Sequence, residues 1–198
     1  MTEDMIRERV KAELKEKRFR HVEGVVQTAD RLARIHGANP EHARLAAWIH
    51  DFCRQWPKEK LVQTAKDMNI EEQYFEMPEL LHGHIAAGLA PQEFGITDED
   101  VLNAARFHTS GRTNMSLLEK VVYLADAIEP GRKYPAVEEI RKVAEEDLDL
   151  ALALSFDNTI EYLIQRREPI FPLTVIARNG IWRKVKESRS EQASFDIK

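Results

Sequence analysis

The sequence predicts an all-α protein, on three observations. Apolar residues recur at helical spacing along most of the chain, the breaks carry helix-starting and helix-ending residues, and alternating strand patterns are nearly absent. The N-terminal run Met1–Arg20 is charged throughout and reads as a solvated helix face with i, i+4 pairing. Val22, Val25, Val26, Ala29, Leu32 and Ala33 then mark the buried face of the first strongly periodic helix. Gly37-Ala38-Asn39-Pro40 closes it and opens the next, over about Glu41–Asp51, since Pro fits the first helical turn. Further amphipathic stretches cover about Pro57–Met68, Pro78–Ala90, Asp98–Phe107, Ser116–Ile128, Val137–Glu145, Leu148–Gln165 and Leu173–Lys186. Trp56-Pro57, Met77-Pro78, Pro91, Gly95, Gly111 and Glu129-Pro130-Gly131 mark the turns between them. No internal repeat or low-complexity linker divides the chain. It reads as one domain over 1–198, with a core over about 18–128, a C-terminal helical extension over about 135–186 and a polar, frayed tail over 187–198.

Composition narrows the function classes. The 198 residues are 43% hydrophobic and 32% charged, enough apolar matter for a sizeable core and against wholesale disorder. The net charge of −5 gives no basic nucleic-acid footprint. Cys53 is the single cysteine, which excludes an intramolecular disulfide and fits a reducing compartment. The first twenty residues lack the apolar stretch of a secretory peptide, and no run of ~18 apolar residues occurs. The expectation is a soluble cytoplasmic protein with no membrane or nucleic-acid partner, of a size compatible with a homodimer.

The chemistry lies in where the seven histidines fall. His21 shares a face with Val25, Thr28, Ala29 and Leu32. His50 follows Ala43, Ala46 and Ala47 at helical spacing, with Asp51 fused to it. His82 leads Ile85, Ala86 and Leu89, His108 follows Val101, Ala104 and Ala105, and Asp126 lies one turn after Val122. Four imidazoles and two carboxylates thus project from apolar stripes of separate helices toward one interior. Burying such groups without partners costs several kcal/mol, roughly, because desolvation disfavours their charged forms. Divalent metal ions supply the compensating charge, and imidazole and carboxylate donors suit iron, manganese, zinc or nickel. A buried hydrogen-bond network without metal is the alternative. His84 stands ~200° around a helix from His82 and cannot reach the same centre unless the helix breaks at Gly83. His36 and His42 flank the Gly37–Pro40 turn and read as surface residues.

The order His21, His50-Asp51, His82, His108, Asp126 resembles the HD-domain superfamily of metal-dependent phosphohydrolases. Local context sharpens the likeness: Arg-Phe-Arg-His at 18–21, Ala-Trp-Ile-His-Asp-Phe at 47–52, Leu-Leu-His-Gly at 80–83, Phe-His-Thr-Ser-Gly at 107–111 and Lys-Val-Val-Tyr-Leu-Ala-Asp-Ala-Ile-Glu-Pro-Gly-Arg at 120–132. Together these are similar to the bacterial YqeK-type branch of symmetrical diadenosine tetraphosphate hydrolases, over about residues 18 to 185. The resemblance implies a compact HD-domain helical bundle with C-terminal helices packed on it, and two divalent metal ions, usually iron in this branch. By position, His21, His50, Asp51 and Asp126 would ligate one metal and His82 and His108 the second, with Asp51 bridging. Two departures stand out. Arg54 occupies a position where relatives commonly carry Lys, and Arg is poorly suited to giving up a proton, which favours phosphate binding. His84 sits where an apolar residue or Pro is expected.

The implied reaction is attack of a metal-bridging hydroxide on an inner phosphate of diadenosine tetraphosphate, giving two ADP. His50, Asp51 and Arg54 form the catalytic group in this reading. Arg54, Thr109 and Arg132 are the candidate phosphate contacts, because Arg forks match phosphate oxygens and a hydroxyl can donate to one. The alternatives are a phosphohydrolase for other nucleoside di- or triphosphates or cyclic nucleotides, and a metal-dependent nucleotide sensor without turnover. Cys53 reads as an inert buried thiol, and Trp48, Trp56, Tyr74 and Phe75 as core. Two bound divalent cations would give this acidic chain a positive pocket.

Overall fold

A break at Leu14–Lys15 divides the charged N-terminal run into two helices, α1 (Glu3–Glu13) and α2 (Glu16–His36). The chain is seen here in a computed structural model that describes residues 1–195, with side chains through Ser190. The run is only partly a solvated face. Ile6 and Val10 are buried, and Arg7 and Arg9 reach outside their own helix to Glu23 and Glu93 at 2.8 and 3.0 Å. The i, i+4 pairing expected there is present as Arg9–Glu13 and Glu16–Arg20.

The middle helices follow their capping residues. Gly37 ends α2 at φ +79°, and the Asn39 side chain accepts from Glu41 N and His42 N to start α3 (Pro40–Ile49). A series of turns leads to α4 (Lys58–Asp67), a 3₁₀ turn at Glu72–Tyr74, and α5 (Pro78–Phe94). Asp98 caps α6 (Glu99–Arg106), and Ser116 and Glu119 form a reciprocal capping box at the start of α7 (Leu117–Ile128). The chain continues through α8 (Val137–Glu146), α9 (Leu148–Arg166) and α10 (Pro172–Phe195). The all-α class stands: ten α-helices and no strand occur among the described residues.

Two helix ends differ from the sequence-based expectation. Pro91 does not end α5. It lies on an exposed face near the helix end, so its ring meets solvent, while buried Phe94 and left-handed Gly95 (φ +71°) complete the last turn. The polar tail does not fray at 187, since α10 runs to Phe195 through a sequence without further Gly or Pro. Residues 196–198 of that tail lie outside the described residues. His36 is half-buried rather than surface, because its Nε2 lies 2.7 Å from the carbonyl of Ala144 in α8. His42 is also only partly exposed.

The main core joins α2, α3, α6 and α7. Val22, Val25, Ala29 and Leu32 of α2 meet Ala43, Ala46 and Ala47 of α3, with Val101, Ala104 and Ala105 of α6 and Val121 and Val122 of α7 beside them, all fully buried. Burying a Leu or Val side chain stabilises by about 1.5–3 kcal/mol. The alanines matter differently: small side chains let backbones approach closely, so the helix ends that carry polar residues meet. A smaller cluster of Tyr123, Leu152, Phe156, Ala177, Ile181 and Val185 packs α9 and α10 onto α7.

Candidate metal centre

Each polar residue of the cluster sits at or near the end of a helix or on an inward face. His50 and Asp51 follow the last turn of α3, His108 follows α6, and Asp126 and Glu129 close α7, while His21 and His82 project from within α2 and α5. His50, Asp51, His82 and His108 are all buried, with at most 3% exposure. The His50 and His108 rings stand 4.8 Å apart centroid to centroid, and the His82 and His108 rings 4.9 Å.

The donor atoms form two triads that share one carboxylate. His21, His50 and Asp51 converge in one, and Asp51, His82 and His108 in the other. The Asp51 oxygens divide between them: Oδ2 lies 3.6 and 3.5 Å from Nε2 of His21 and His50, and Oδ1 lies 3.1 Å from Nε2 of His82. Asp126 Oδ1 joins the first triad at 2.9 Å from His21 Nε2.

The ring orientations are held from outside. Nδ1 of His50 faces the Ala47 carbonyl at 2.6 Å and Nδ1 of His108 the Ala105 carbonyl at 2.7 Å. A carbonyl only accepts, so both rings carry their proton on Nδ1 and turn a bare Nε2 inward. Nδ1 of His21 lies 3.1 Å from Glu129 Oε1, which orients that ring in the same way. The arrangement suits a cation at the centre of the cluster. Nε2 of His82 lies 3.1 Å from Nε2 of His108, and either tautomer of His82 leaves a buried nitrogen without a partner. Nε2 of His21 and of His50 are likewise buried without a hydrogen bond. Orphaned nitrogen lone pairs beside two carboxylates are the donor set of a transition-metal site.

Electrostatics agree. Burial raises the Asp51 carboxyl, but His50 and His82 outweigh it and hold the group well below the usual carboxylate range. At Asp126 burial is likewise outweighed, first by the Arg132 guanidinium and then by His21. Burial, with His50 and His82 alongside, pushes His108 down to about 3, so its ring is neutral near pH 7. At His50 the effect of burial is overcome by Asp51, which raises the imidazole. Both carboxylates are therefore charged, and the charge they need in return has to come from protons or cations.

Two residues at the cluster were not singled out for a role from the sequence. Arg18 donates from Nη1 to Asp51 Oδ2 at 2.9 Å; it lies three residues before His21, and i, i+3 spacing puts both on one helix face. Glu129 is buried and turns back from the end of α7 toward His21, and it also accepts from the Gly131 N–H. Gly24 makes room for it: a Cβ there would stand 2.7 Å from Glu129 Oε2.

The other candidates fall in different places. Arg132 reaches Asp126 from Nε to the backbone carbonyl at 2.8 Å and from Nη2 to Oδ1 at 2.5 Å. The Thr109 hydroxyl donates to the bare Nε2 of His108 at 2.9 Å. Arg54 is half-buried in the turns after α3, and among the described residues its side chain joins no ion pair or hydrogen bond; Arg18 holds the position against Asp51. α5 runs unbroken through Gly83, so His84 points away from the cluster and packs edge-on against Tyr74 and Phe107, with ring centroids at 4.1 and 5.4 Å. Burial, with Arg106 and His82 near it, lowers that imidazole to about 4. Cys53 is buried and its thiol is pushed up by that burial. Trp48 and Tyr74 are core side chains, at 5% exposure each.

Two cavities open beside the cluster. One, of about 910 Å³, is lined by Lys17, Arg18, His21, Gln27, Gln55 and Arg132 among others. The second, of about 590 Å³, lies on the side of His108 and Asp126, and Gly131 and Arg132 border both.

Comparison with known proteins gives a consistent picture. The model of the HD domain family matches residues 18–131. A Bacillus subtilis protein described as "Bis(5'-nucleosyl)-tetraphosphatase, symmetrical" is 44% identical over 87% of this chain and 93% of its own. A Halalkalibacterium halodurans protein of the same description is 43% identical over 87% of this chain and 92% of its own. Among solved structures, a Clostridium acetobutylicum protein described as a "predicted HD superfamily hydrolase involved in NAD metabolism" superposes with a TM-score of 0.89 at 44% identity. That match covers 93% of this chain and 98% of the other.

Proposed function

The chain belongs to the HD-domain family, and from that footing we propose that it hydrolyses diadenosine tetraphosphate symmetrically, giving two ADP. The observation that carries this reading is the division of Asp51 between two triads of donors, one oxygen turned to each. His21, His50, Asp51 and Asp126 would hold one divalent ion, and Asp51, His82 and His108 the other. Iron is the metal the family likeness favours, and manganese, zinc and nickel suit the same nitrogen and oxygen donors. When bound, such ions lower the pKa of water and offset charge on phosphoryl oxygens during displacement at phosphorus.

The chain's own residues bind and orient the polyphosphate. Arg18 and Arg132 both border the larger cavity, each paired with a carboxylate that a metal would neutralise. With cations at Asp51 and Asp126, both guanidiniums would be left to meet phosphate oxygens, which they match in bidentate fashion. A metal on His108 Nε2 would likewise take the place of the Thr109 hydrogen bond there, leaving the Thr109 hydroxyl, proton retained, to donate to phosphate. Arg54, free of ion pairs among the described residues, adds a further cation to the polyphosphate path. A cytoplasmic setting is part of this reading, supported by the lone buried thiol.

The test is metal analysis of anaerobically purified protein together with product analysis on diadenosine tetraphosphate. Two metals per chain and ADP as the sole nucleotide product are expected. Fully loaded protein that is inert on the tetraphosphate, or that yields ATP and AMP, overturns the reading. Asp51→Ala should abolish turnover and bring metal content below half of the wild-type value; full metal retention would remove Asp51 as the shared ligand.

A further inference from the structure

The two cavities beside the cluster differ in chemistry. The larger is bordered by charged and amide side chains such as Lys17, Arg18 and Gln27. The smaller runs from the cluster toward α9 and is lined by three tyrosines, buried Tyr123 and the more accessible Tyr134 and Tyr162, together with Asn158 and Thr159. The Tyr134 ring is fixed, since its hydroxyl donates to the Ala127 carbonyl at 3.0 Å. Tyr162 is 55% exposed, with the Arg166 guanidinium 5.5 Å from its ring centre. The Thr159 hydroxyl is already donated to the Ser155 carbonyl at 3.0 Å, whereas the half-buried Asn158 amide makes no hydrogen bond among the described residues.

We propose that this aromatic cavity takes one purine nucleoside of the dinucleotide, and that the other nucleoside is not read. The proposal rests on the reading of the chain as a tetraphosphate hydrolase and specifies how that site selects its substrate. A base needs a flat apolar surface and groups complementary to its edge. Tyr134 and Tyr162 supply the first, because every base has a π-face on which an aromatic ring can stack. The Asn158 amide supplies the second. It offers one donor and one acceptor side by side, the complement of the amino group and N7 of adenine, and its NH₂ can equally meet the acceptors of guanine.

Position supports the assignment. Arg132 borders both cavities and pairs with Asp126, so a phosphate held there lies between the cluster and the aromatic rings. The opposite cavity has the cations to hold further phosphates but no aromatic side chain on its wall. A symmetrical molecule is thus held asymmetrically: one base is stacked and hydrogen-bonded, and the other extends over a charged surface. Tyr134, Asn158 and Tyr162 all lie beyond residue 131, where the HD-domain match ends. Base selection is then a property of the C-terminal helices, which the smaller core cluster fastens to α7.

The test uses the metal-loaded full chain with Tyr162→Ala and Asn158→Leu, and reads both ADP binding by calorimetry and steady-state kinetics. The substrates are diadenosine, diuridine and mixed adenosine–uridine tetraphosphate. In each variant the ADP Kd and the KM for diadenosine tetraphosphate should rise by about tenfold, with kcat within about twofold of wild type, as expected for loss of one stacking or edge contact. Wild type should prefer the diadenosine over the diuridine substrate, and the mixed substrate should behave like the diadenosine one because a single purine suffices. Unchanged ADP binding and KM in Tyr162→Ala overturns the proposal, and so does a mixed substrate as poor as the diuridine one. Tyr162 is exposed, so its variant decides the matter even if Asn158→Leu fails to fold. A wild type that cleaves none of the three sinks the functional reading, and the ADP titration still judges the cavity.

Discussion

His84 and His82 show how much two residues of offset decide on a helix. Both are buried and both lie on α5, yet His82 turns Nε2 to Asp51 while His84 packs between Tyr74 and Phe107. The ~3.6-residue turn places them on nearly opposite sides, and α5 does not break at Gly83 to change that. We therefore expect His84→Ala to keep the wild-type metal content, measured by elemental analysis; loss equal to that of His82→Ala would mean that His84 is a ligand. At this scale the cluster was readable in advance, because an imidazole or carboxylate on an apolar stripe has to find a partner inside. Arg18 shares a helix face with His21, one turn before it, but that spacing alone does not say that it meets Asp51. Glu129 was not readable either. It follows the last residue of α7, where helical periodicity no longer says which way a side chain points, and only the turn through Pro130 and Gly131 brings it back to His21.

The pairing of α2 with the turn after α7 is where an element-level demand is visible. Gly24 lies inside a 21-residue helix, where Ala would be favoured by about 1 kcal/mol. Its Cβ would, however, stand 2.7 Å from Glu129 Oε2. Gly24→Ala should thus leave helicity by circular dichroism intact but displace Glu129 from His21. Its metal affinity should fall together with that of Glu129→Gln, by roughly 10–100-fold, the usual loss when a group orienting a ligand is removed. Wild-type affinity in both variants would show that Glu129 does not orient the ring. Helix positions were largely readable from periodicity and caps. The exceptions were ends: Pro91 sits inside α5 because its ring faces solvent and Phe94 is anchored beyond it, and α10 continues because nothing in the sequence after Lys186 stops it.

Across the whole molecule, ionised carboxylates paired with cations tie distant helices together. Asp30 accepts from Arg34 and Arg44, which outweigh burial and lower its carboxyl below the usual 3.8. Asp149 of α9 is lowered too, because Lys120 of α7 and Lys184 of α10 overcome the effect of burial. A carboxyl whose folded pKa is depressed contributes stability above its unfolded pKa, and that contribution is lost as pH falls through the folded value. The thermal midpoint of metal-free protein should decline as pH falls below about 6.5, where an unfolded imidazole takes up a proton that buried His84 and His108 do not, and fall more steeply below about 4, where these carboxyls lose their contribution. A midpoint unchanged down to pH 3 would mean these pairs add nothing. The sequence by itself determined the helical class, because helical periodicity and caps are local, and it determined which polar residues had to meet inside, because burial of unpartnered charge is costly. Only the tertiary structure decided that Asp51 turns one oxygen to each triad, that Arg18 rather than Arg54 faces it, and that α9 brings Asn158 and Tyr162 to a cavity beside Arg132. Those are distances between helices far apart in the chain, set by how closely small side chains let backbones approach, and no periodicity within one helix encodes them.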